Sequence, residues 1–518
     1  MELRRLKTVR VVVSLILFVP AAFLFLDLTG VLPAWAITAF TSLQLVPSLV
    51  KLFSSVGWGA LGVAAVLLLT LGFGRVYCST LCPLGTLQDF ISRLNRRRSS
   101  SRRFIFRRQN YLLQYGLLLL AGALAFGGSM LLINLTEPFS NFGRITGTLV
   151  QPLLLLSNNA ASWVLGRFDV YALYNIPLRV PPVGVFVVSL AFVGMVAHLA
   201  YHHGRLYCNT LCPAGALLGL LSRAALFRIV IDEHACKECG LCEKVCKSGC
   251  IDSDNKRVDF SACVSCFNCL DACPTVGLKY AGRVRKWPTA PEMDQRRRRI
   301  LRDSAAGVAT LAFLPGDSLR AVLPVPTGKT RSRFPVAPPG SRSVEWFTSR
   351  CTACHICVGV CPTGVLSPSL FEYGVGGIFQ PRMDYSVNPC NYDCTLCGQV
   401  CPTGAILPLA PEEKKLTQIG KTKFVKEECI VFTKKTECGA CSEHCPTKAV
   451  HMVAYEKGLV IPEVNEEICI GCGACERPCP VAPNKAIYVE SNPIHLIAKK
   501  PEIKKAEPEV RVEEEFPF

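Results

Sequence analysis

Four stretches of about twenty mostly apolar residues punctuate the first two hundred positions: Val9–Leu28, Trp58–Tyr77, Tyr111–Ile133 and Val183–Tyr201. Roughly that length of helix is needed to cross a hydrocarbon layer about 30 Å thick, so each predicts a membrane span. The run from Phe23 to Leu28 continues past the small pair Ala21 and Ala22, which favours an uncleaved span over a secretory signal. Two further segments, Thr41–Phe53 and the Pro152-containing Gly147–Leu156, predict interfacial or re-entrant pieces.

Charge supports that division. The chain has 518 residues and a net charge of +18. Residues 1–230 hold 20 basic and 5 acidic groups, residues 293–350 hold 11 and 4, and residues 351–518 hold 17 and 21. Arg4, Arg5, Lys7 and Arg10 precede the first span, and eight arginines without an acid lie between Arg93 and Arg108. The bias of basic residues toward the cytoplasmic side places the N-terminus, the 93–108 loop and the end of the fourth span there. No basic stripe interleaved with aromatics points to DNA or RNA, so lipid is the expected partner and nucleic acid is not.

An internal repeat follows the second and fourth spans. GRVYCSTLCPLGTLQDFISR (74–93) and GRLYCNTLCPAGALLGLLSR (204–223) agree at twelve of twenty positions. Residues four apart share a helix face, so Cys78 with Cys82 and Cys208 with Cys212 are two candidate thiol pairs. Together they suit a soft-metal or cluster site, or dithiol switches. His198, His202 and His203 end the fourth span and are candidates for proton uptake from a quinol, for haem binding, or structural groups.

The remaining cysteines fall into six motifs. Cys236, Cys239, Cys242 and Cys246 precede Cys263, Cys266, Cys269 and Cys273. Cys351, Cys354, Cys357 and Cys361 precede Cys390, Cys394, Cys397 and Cys401. Cys429, Cys438, Cys441 and Cys445 precede Cys469, Cys472, Cys475 and Cys479. In the two-cluster ferredoxin pattern the first three cysteines of a motif hold one [4Fe–4S] cluster and the fourth belongs to the other. Cys273 is therefore expected with Cys236, Cys239 and Cys242, and Cys246 with Cys263, Cys266 and Cys269. The same crossing pairs Cys401 with Cys351, Cys354 and Cys357, and Cys361 with Cys390, Cys394 and Cys397. It pairs Cys479 with Cys429, Cys438 and Cys441, and Cys445 with Cys469, Cys472 and Cys475. All twenty-four are candidate iron ligands of six clusters. Lys247 stands where proline usually follows the fourth cysteine, Cys250 is a spare thiol or a substitute for Cys246, and the gaps after Cys390 and Cys429 are widened. Disulfides and zinc fit this regular spacing less well.

Between the first and second motif pairs, Arg296–Arg302 opens a basic segment, Ala305–Leu314 is modestly apolar, and Pro324–Pro339 is proline-rich. Twin arginines before a weakly apolar run resemble a Tat export signal. The expected fold is an α-helical membrane domain of about four transmembrane helices plus α+β, bacterial-ferredoxin-like two-cluster modules. Its divisions are 1–228, membrane; 229–290, ferredoxin; 291–345, linker; 346–410 and 411–498, ferredoxin; and 499–518, a disordered tail.

On these motifs, residues 1–290 resemble NapH-type membrane ferredoxins, and residues 296–490 resemble a NapG-type four-cluster ferredoxin, here in one chain. The resemblance implies quinol oxidation and electron delivery to a reductase outside the cytoplasm, with a quinone as a further cofactor. The fusion departs from the usual separate subunits, so the nitrate-reductase partner does not carry over. No nucleotide loop, molybdopterin domain or CxxCH haem site is visible, and no complete substrate-converting site, so a quinol dehydrogenase component is the only enzymatic expectation. The leading expectation is a relay in the inner membrane between a quinone pool or donor subunit and a partner reductase, with residues 229–290 cytoplasmic and residues 346–518 exported. The alternatives are an assembly or maturation factor supplying electrons or metal to another metalloprotein, and a redox sensor.

Overall fold

A computed structural model describes residues 2–26, 32–52, 58–98, 104–176, 178, 181–232, 234–275, 277–282 and 335–500. The Tat-like segment, most of the proline-rich run and nearly all of the tail lie outside the described residues.

The apolar first run forms α1 (Glu2–Leu26), a helix of 25 residues and about 38 Å that Pro20 does not interrupt. α2 (Ala34–Ser42) and α3 (Leu45–Leu52) meet at 97°, which suits a re-entrant segment over Thr41–Phe53. α4 (Trp58–Phe73) has 16 residues and ends where Gly74, at φ +78°, turns the chain into α5 (Tyr77–Thr80) and α6 (Pro83–Arg98). α7 (Tyr111–Phe126) also has 16 and stops at Gly127 and Gly128, the latter at φ +81°, before α8 (Leu131–Thr136). α9 (Pro138–Ile145), a π-helical turn (Thr146–Val150) and α10 (Gln151–Gly166) follow without a break. α11 (Val183–His203), α12 (Leu206–Thr210) and α13 (Pro213–Ser222) complete the helices of this region.

Two expectations change here. Among the described residues, two helices are long and apolar enough to cross a membrane, three if the bent α2–α3 pair counts as one span. The expected spans 58–77 and 111–133 are shorter because glycine turns end their helices. The expected short piece Gly147–Leu156 instead lies inside the α9–α10 run. There the Thr146 and Thr148 hydroxyls donate to the Phe142 and Arg144 carbonyls, at 2.8 and 2.6 Å, while a π turn leads into Pro152.

The first cysteine-rich unit pairs β1 (Phe227–Ile231) with a later strand, and β2 (Ile251–Asp252) with β3 (Arg257–Val258). β4 (Leu278–Gly282) closes it, antiparallel to β1 with Phe227 opposite Gly282. The C-terminal part has β5 (Leu366–Pro368) against β6 (Pro381–Met383), both antiparallel. β7 (Thr417–Phe424) runs against a later strand, and β8 (Val450–Ala454) against β9 (Val460–Val464). The partner of β7 is β10 (Ile487–Ile497), whose register shifts between Ser491 and Leu496. The two C-terminal motif pairs are joined closely: Cys390 N–H donates to Cys472 O at 2.9 Å, and Tyr385 Oη to Gly471 O at 2.6 Å.

The helices lie between the two cysteine-rich parts. Near the start of α1, Lys7 pairs with Asp271 of the first unit at 2.6 Å. Near its other end, Phe25 packs with Phe139 and Phe142 beside the Cys354 loop. α7 begins with Tyr111 donating to Asp259 at 2.5 Å, and beyond its end Ser129 meets Gly376. α11 begins with Gly184 against Leu370 and ends with Gly204 against Lys247. At the C-terminal junction Val185, Ala353 and Phe379 are buried together, and the Arg144 guanidinium lies 4.6 Å from the Phe379 ring centre.

Gly143 permits this junction, since a Cβ there would stand 2.3 Å from Cys354 O and 2.4 Å from the Phe25 ring. Gly143→Val is expected to weaken docking by at least about 1–3 kcal/mol, the usual cost of overpacking. Limited proteolysis of the full chain checks this: residues 335–500 should be cut faster while the first unit keeps its protection.

Candidate metal centres

Four of the six motifs share one loop geometry. The residue two after the first cysteine and the residue after the second both take left-handed backbone: Glu238 and Gly240, Ser265 and Phe267, Ala353 and His355, Gly471 and Gly473. Non-glycine residues pay roughly 1 kcal/mol or more for such a conformation, and that strain gathers at functional sites. It curls the chain so that three cysteines face one point. The two motifs with widened gaps differ: Thr395 and Gly439, which follow their second cysteines, sit at φ −123° and −128°.

These loops ring small, mostly apolar cavities. One is lined by Cys236, Cys239, Cys242 and Cys273. Another has Cys351, Cys354, Cys357 and Cys401, a third Cys361, Cys390, Cys394 and Cys397, and a fourth Cys429, Cys438, Cys441 and Cys479. A fifth has Cys246, Cys250, Cys263, Cys266 and Cys269. Cys250 Sγ lies 3.5 Å from Cys246 Sγ, so both thiols face this cavity. In the sixth group, Cys472 and Cys475 each lie near Cys445 and Cys469, and Thr422 Oγ1 stands 3.3 and 3.4 Å from the sulfurs of Cys469 and Cys475. Among the described residues no three Cys, His, Asp or Glu side chains close on a point where one ion would sit. Sulfur donors spread around an apolar cavity fit a polynuclear iron–sulfur group better than a single cation.

Four threonines were missed in the sequence. The hydroxyls of Thr275, Thr363, Thr403 and Thr447 lie 3.6–3.8 Å from the sulfurs of Cys273, Cys361, Cys401 and Cys445. Their signal was the recurring Cys-Pro-Thr, since each threonine stands two residues beyond the fourth cysteine.

The repeat brings Cys78, Cys82, Cys208 and Cys212 into one buried core. Arg75 donates across to Cys208 O at 3.1 Å, and Arg205 across to Cys78 O at 2.8 Å. Both arginines are fully buried. Beside them, Asp89 accepts Arg10 at 2.7 Å, Arg205 at 3.0 Å and Lys247 at 3.3 Å. Burial alone would raise the Asp89 pKa, but Arg205, Lys247 and Arg10 outweigh it and hold the carboxyl well below the usual carboxylate range. Its stabilising charge is therefore present above the unfolded value of about 3.9 and is lost only as pH falls through the depressed folded one. Lys247, the residue in place of the usual proline, thus fastens the first unit to the helices. The histidines lie apart: His198 and His202 rings are 4.6 Å apart, and Arg107 donates to His203 Nδ1 at 2.9 Å.

The comparisons fit this geometry. A 4Fe-4S binding domain family matches residues 56–101 and 184–231, and two 4Fe-4S dicluster domain families match 350–406 and 435–482. The methylamine utilization ferredoxin-type protein MauM of Paracoccus denitrificans is 32% identical over 191 residues, 35% of this chain and 82% of that protein. The ferredoxin-type protein NapF of Haemophilus influenzae is 32% identical over 146 residues, 28% and 75% respectively. The chain belongs to the ferredoxin-type iron–sulfur proteins. NapF of Escherichia coli (strain K12) is 27% identical over 159 residues, 30% of this ferredoxin-type chain and 87% of that protein. No solved structure matches this ferredoxin-type protein.

The Asp89 cluster is a test of its packing. Asp89→Asn keeps the shape and leaves three buried cations without a carboxylate, so the holoprotein is expected to lose about 3–5 kcal/mol of stability. Chemical unfolding in detergent checks this. The exposed Lys435–Glu456 pair serves as control, with an expected change of about 0–1 kcal/mol on removal.

Proposed function

We propose that this ferredoxin-type protein carries electrons across a membrane through six [4Fe–4S] clusters, between a quinone pool or donor subunit and a partner reductase. The observation that carries the reading is the placement of the two cysteine-rich parts at opposite ends of α1, α7 and α11. Each cluster, when bound, supplies a one-electron carrier. The twenty-four cysteines hold them in the crossed sets expected from the spacing, with Cys246 rather than Cys250 completing the Cys263 set. Cavity linings that match five of these sets, one of them with Cys250 beside Cys246, support the crossing.

In this reading α4 and α7 complete a four-helix membrane domain with α1 and α11, the two shorter helices reaching the interfaces through their flanking turns. Val9, Val12, Ile16 and Val19 on α1, and Val183, Val187 and Leu190 on α11, face outward as lipid contacts. Trp163, Phe168, Tyr171 and Tyr174 are exposed beyond the middle of the α9–α10 run, as an interfacial aromatic belt would be. The protein sits in the inner membrane with residues 229–290 cytoplasmic and the C-terminal clusters exported, an arrangement like NapH joined to NapG. Export by the Tat route carries a domain already folded around its clusters.

Two experiments test this. Cys273→Ser should remove the cluster held with Cys236, Cys239 and Cys242, seen as loss of one electron paramagnetic resonance signal; loss of the other cluster of that unit alone refutes the crossed ligation. A tag after Phe518 should be cleaved by protease in intact spheroplasts, and Arg297→Lys with Arg298→Lys should abolish that cleavage. Protection of the wild-type tag, with an outer loop cut in the same sample, places all six clusters in the cytoplasm.

A further inference from the structure

Twenty-four cysteines belong to the six motifs and four to the repeat, which leaves Cys250. It lies four residues beyond Cys246, at the end of a turn that three other motifs share. The third residue of that turn takes left-handed backbone each time: Gly249, Gly364, Gly404 and Lys448, at φ +57°, +69°, +71° and +55°. One backbone shape therefore delivers the next residue to one place in all four. That residue is Cys250, Val365, Ala405 or Ala449, each at most 1% exposed. Val365 lines the cavity that Cys361 enters, Ala405 the one that Cys401 enters, and Cys250 the one that Cys246 enters. Among the six motifs only the first puts a sulfur at this position; the other five have Gly277, Val365, Ala405, Ala449 and Pro483.

The backbone that carries this sulfur is held from both sides. Lys247 O accepts from Arg205 N–H at 2.8 Å and Ser248 O from Asn209 Nδ2 at 3.3 Å, both from the repeat. Gly249 O accepts from Arg107 N–H at 3.0 Å, and Cys250 O from Asp259 N–H at 2.8 Å. Cys250 Sγ then stands 3.5 Å from Cys246 Sγ, with Cys263 as a second sulfur near it. A disulfide bond is about 2.05 Å long, so the two sulfurs are in contact and not joined.

Three roles compete for this thiol: iron ligand, space filler and hydrogen-bond donor. The ligand role suits Cys246, which keeps the motif spacing and has the N–H groups of Cys250, Ser248 and Gly249 near its sulfur. The filler role needs no sulfur, since a methyl group serves at Ala405 and Ala449. The donor role follows from the contact itself. An iron-bound Cys246 carries no proton and only accepts, so the proton between the two sulfurs belongs to Cys250.

We propose that Cys250 donates a thiol hydrogen bond to Cys246 Sγ and thereby raises the reduction potential of the one cluster held by Cys246, Cys263, Cys266 and Cys269. The proposal rests on the assignment of Cys246 as fourth ligand given above. A reduced cluster carries more negative charge on its sulfurs, so a donor stabilises the reduced form more than the oxidised one. Cys250 keeps its proton throughout, and acts through Cys246 as a positioning residue. The other motifs offer only apolar groups at this position, so the effect singles out the cluster beside the repeat. An electron held by the first unit is drawn toward that side.

The test is a redox titration of the full chain, purified in detergent without oxygen and followed by electron paramagnetic resonance. Iron and acid-labile sulfide are measured alongside. Cys250→Ala and Cys250→Val install the residues found at Ala405 and Val365. Both should keep wild-type iron and sulfide and shift the midpoint potential of one signal downward. Cys250→Ser retains a donor and should shift it less than either. The shifted signal should be the one of this unit that survives Cys273→Ser. An unchanged potential in both the alanine and valine variants overturns the proposal. So does a shift in Cys250→Ala that Cys250→Val restores, which marks a space filler. Loss of one cluster's iron in Cys250→Ala makes Cys250 the ligand, and overturns the Cys246 assignment as well. Absence of ferredoxin signals from wild-type protein refutes the proposed function instead.

Discussion

Asp89 is the joint on which the first half of the molecule depends. It takes one cation from α1, one from the second copy of the repeat and one from the first cysteine-rich unit. Three elements far apart in sequence are thereby fixed to one buried carboxylate. In water such ion pairs contribute little, but here the side chains are nearly sealed from solvent, so removing any partner strands a charge. The arrangement fixes geometry more than it adds stability. It holds the turn after Cys246 against the repeat.

The cysteine-rich units rest on a different constraint. Their strands are short, β2 and β3 having two residues each, and four of the thirteen buried residues in the first unit's described core are cysteines. Such a core is too small to be stable alone, so metal binding contributes directly to folding. The left-handed residues Glu238, Phe267 and His355 make the same point locally. Their strain persists because the loop must wrap something, and the ring of sulfurs identifies what it wraps.

Much of this was legible in the sequence because ligand spacing is a local property. The regular CxxCxxC loops predicted the cavities that hold Cys236, Cys239 and Cys242, and the crossing rule anticipated Cys273 beside them. The long apolar runs located α1 and α11. What escaped was set by tertiary contact or by glycine turns. Gly74 and Gly128 shortened two helices whose hydropathy looked continuous. Arg75 and Arg205 were visible as identical positions of the repeat, but their crossing over the cysteines required the fold. Asp89 carried no signal, since Gly219 occupies its place in the other copy.

That last difference shows how a duplicated unit acquires two unlike sides. The two copies agree in the cysteines, the prolines and the arginines. They disagree at Gln88 and Asp89 against Leu218 and Gly219. Gln88 contacts Cys208 Sγ at 3.5 Å, and Asp89 captures Arg205, so the second copy's arginine is neutralised while the first copy's is not. Positive charge at the centre therefore lies toward Arg75, near Ser261 and the Cys263 loop. A symmetric pair of helices would bind either cysteine-rich part equally well. Breaking the symmetry at one carboxylate, and answering it with Lys247, lets the repeat hold one ferredoxin unit at that end. The other end is left to the apolar contacts of Phe25, Gly143 and Val185.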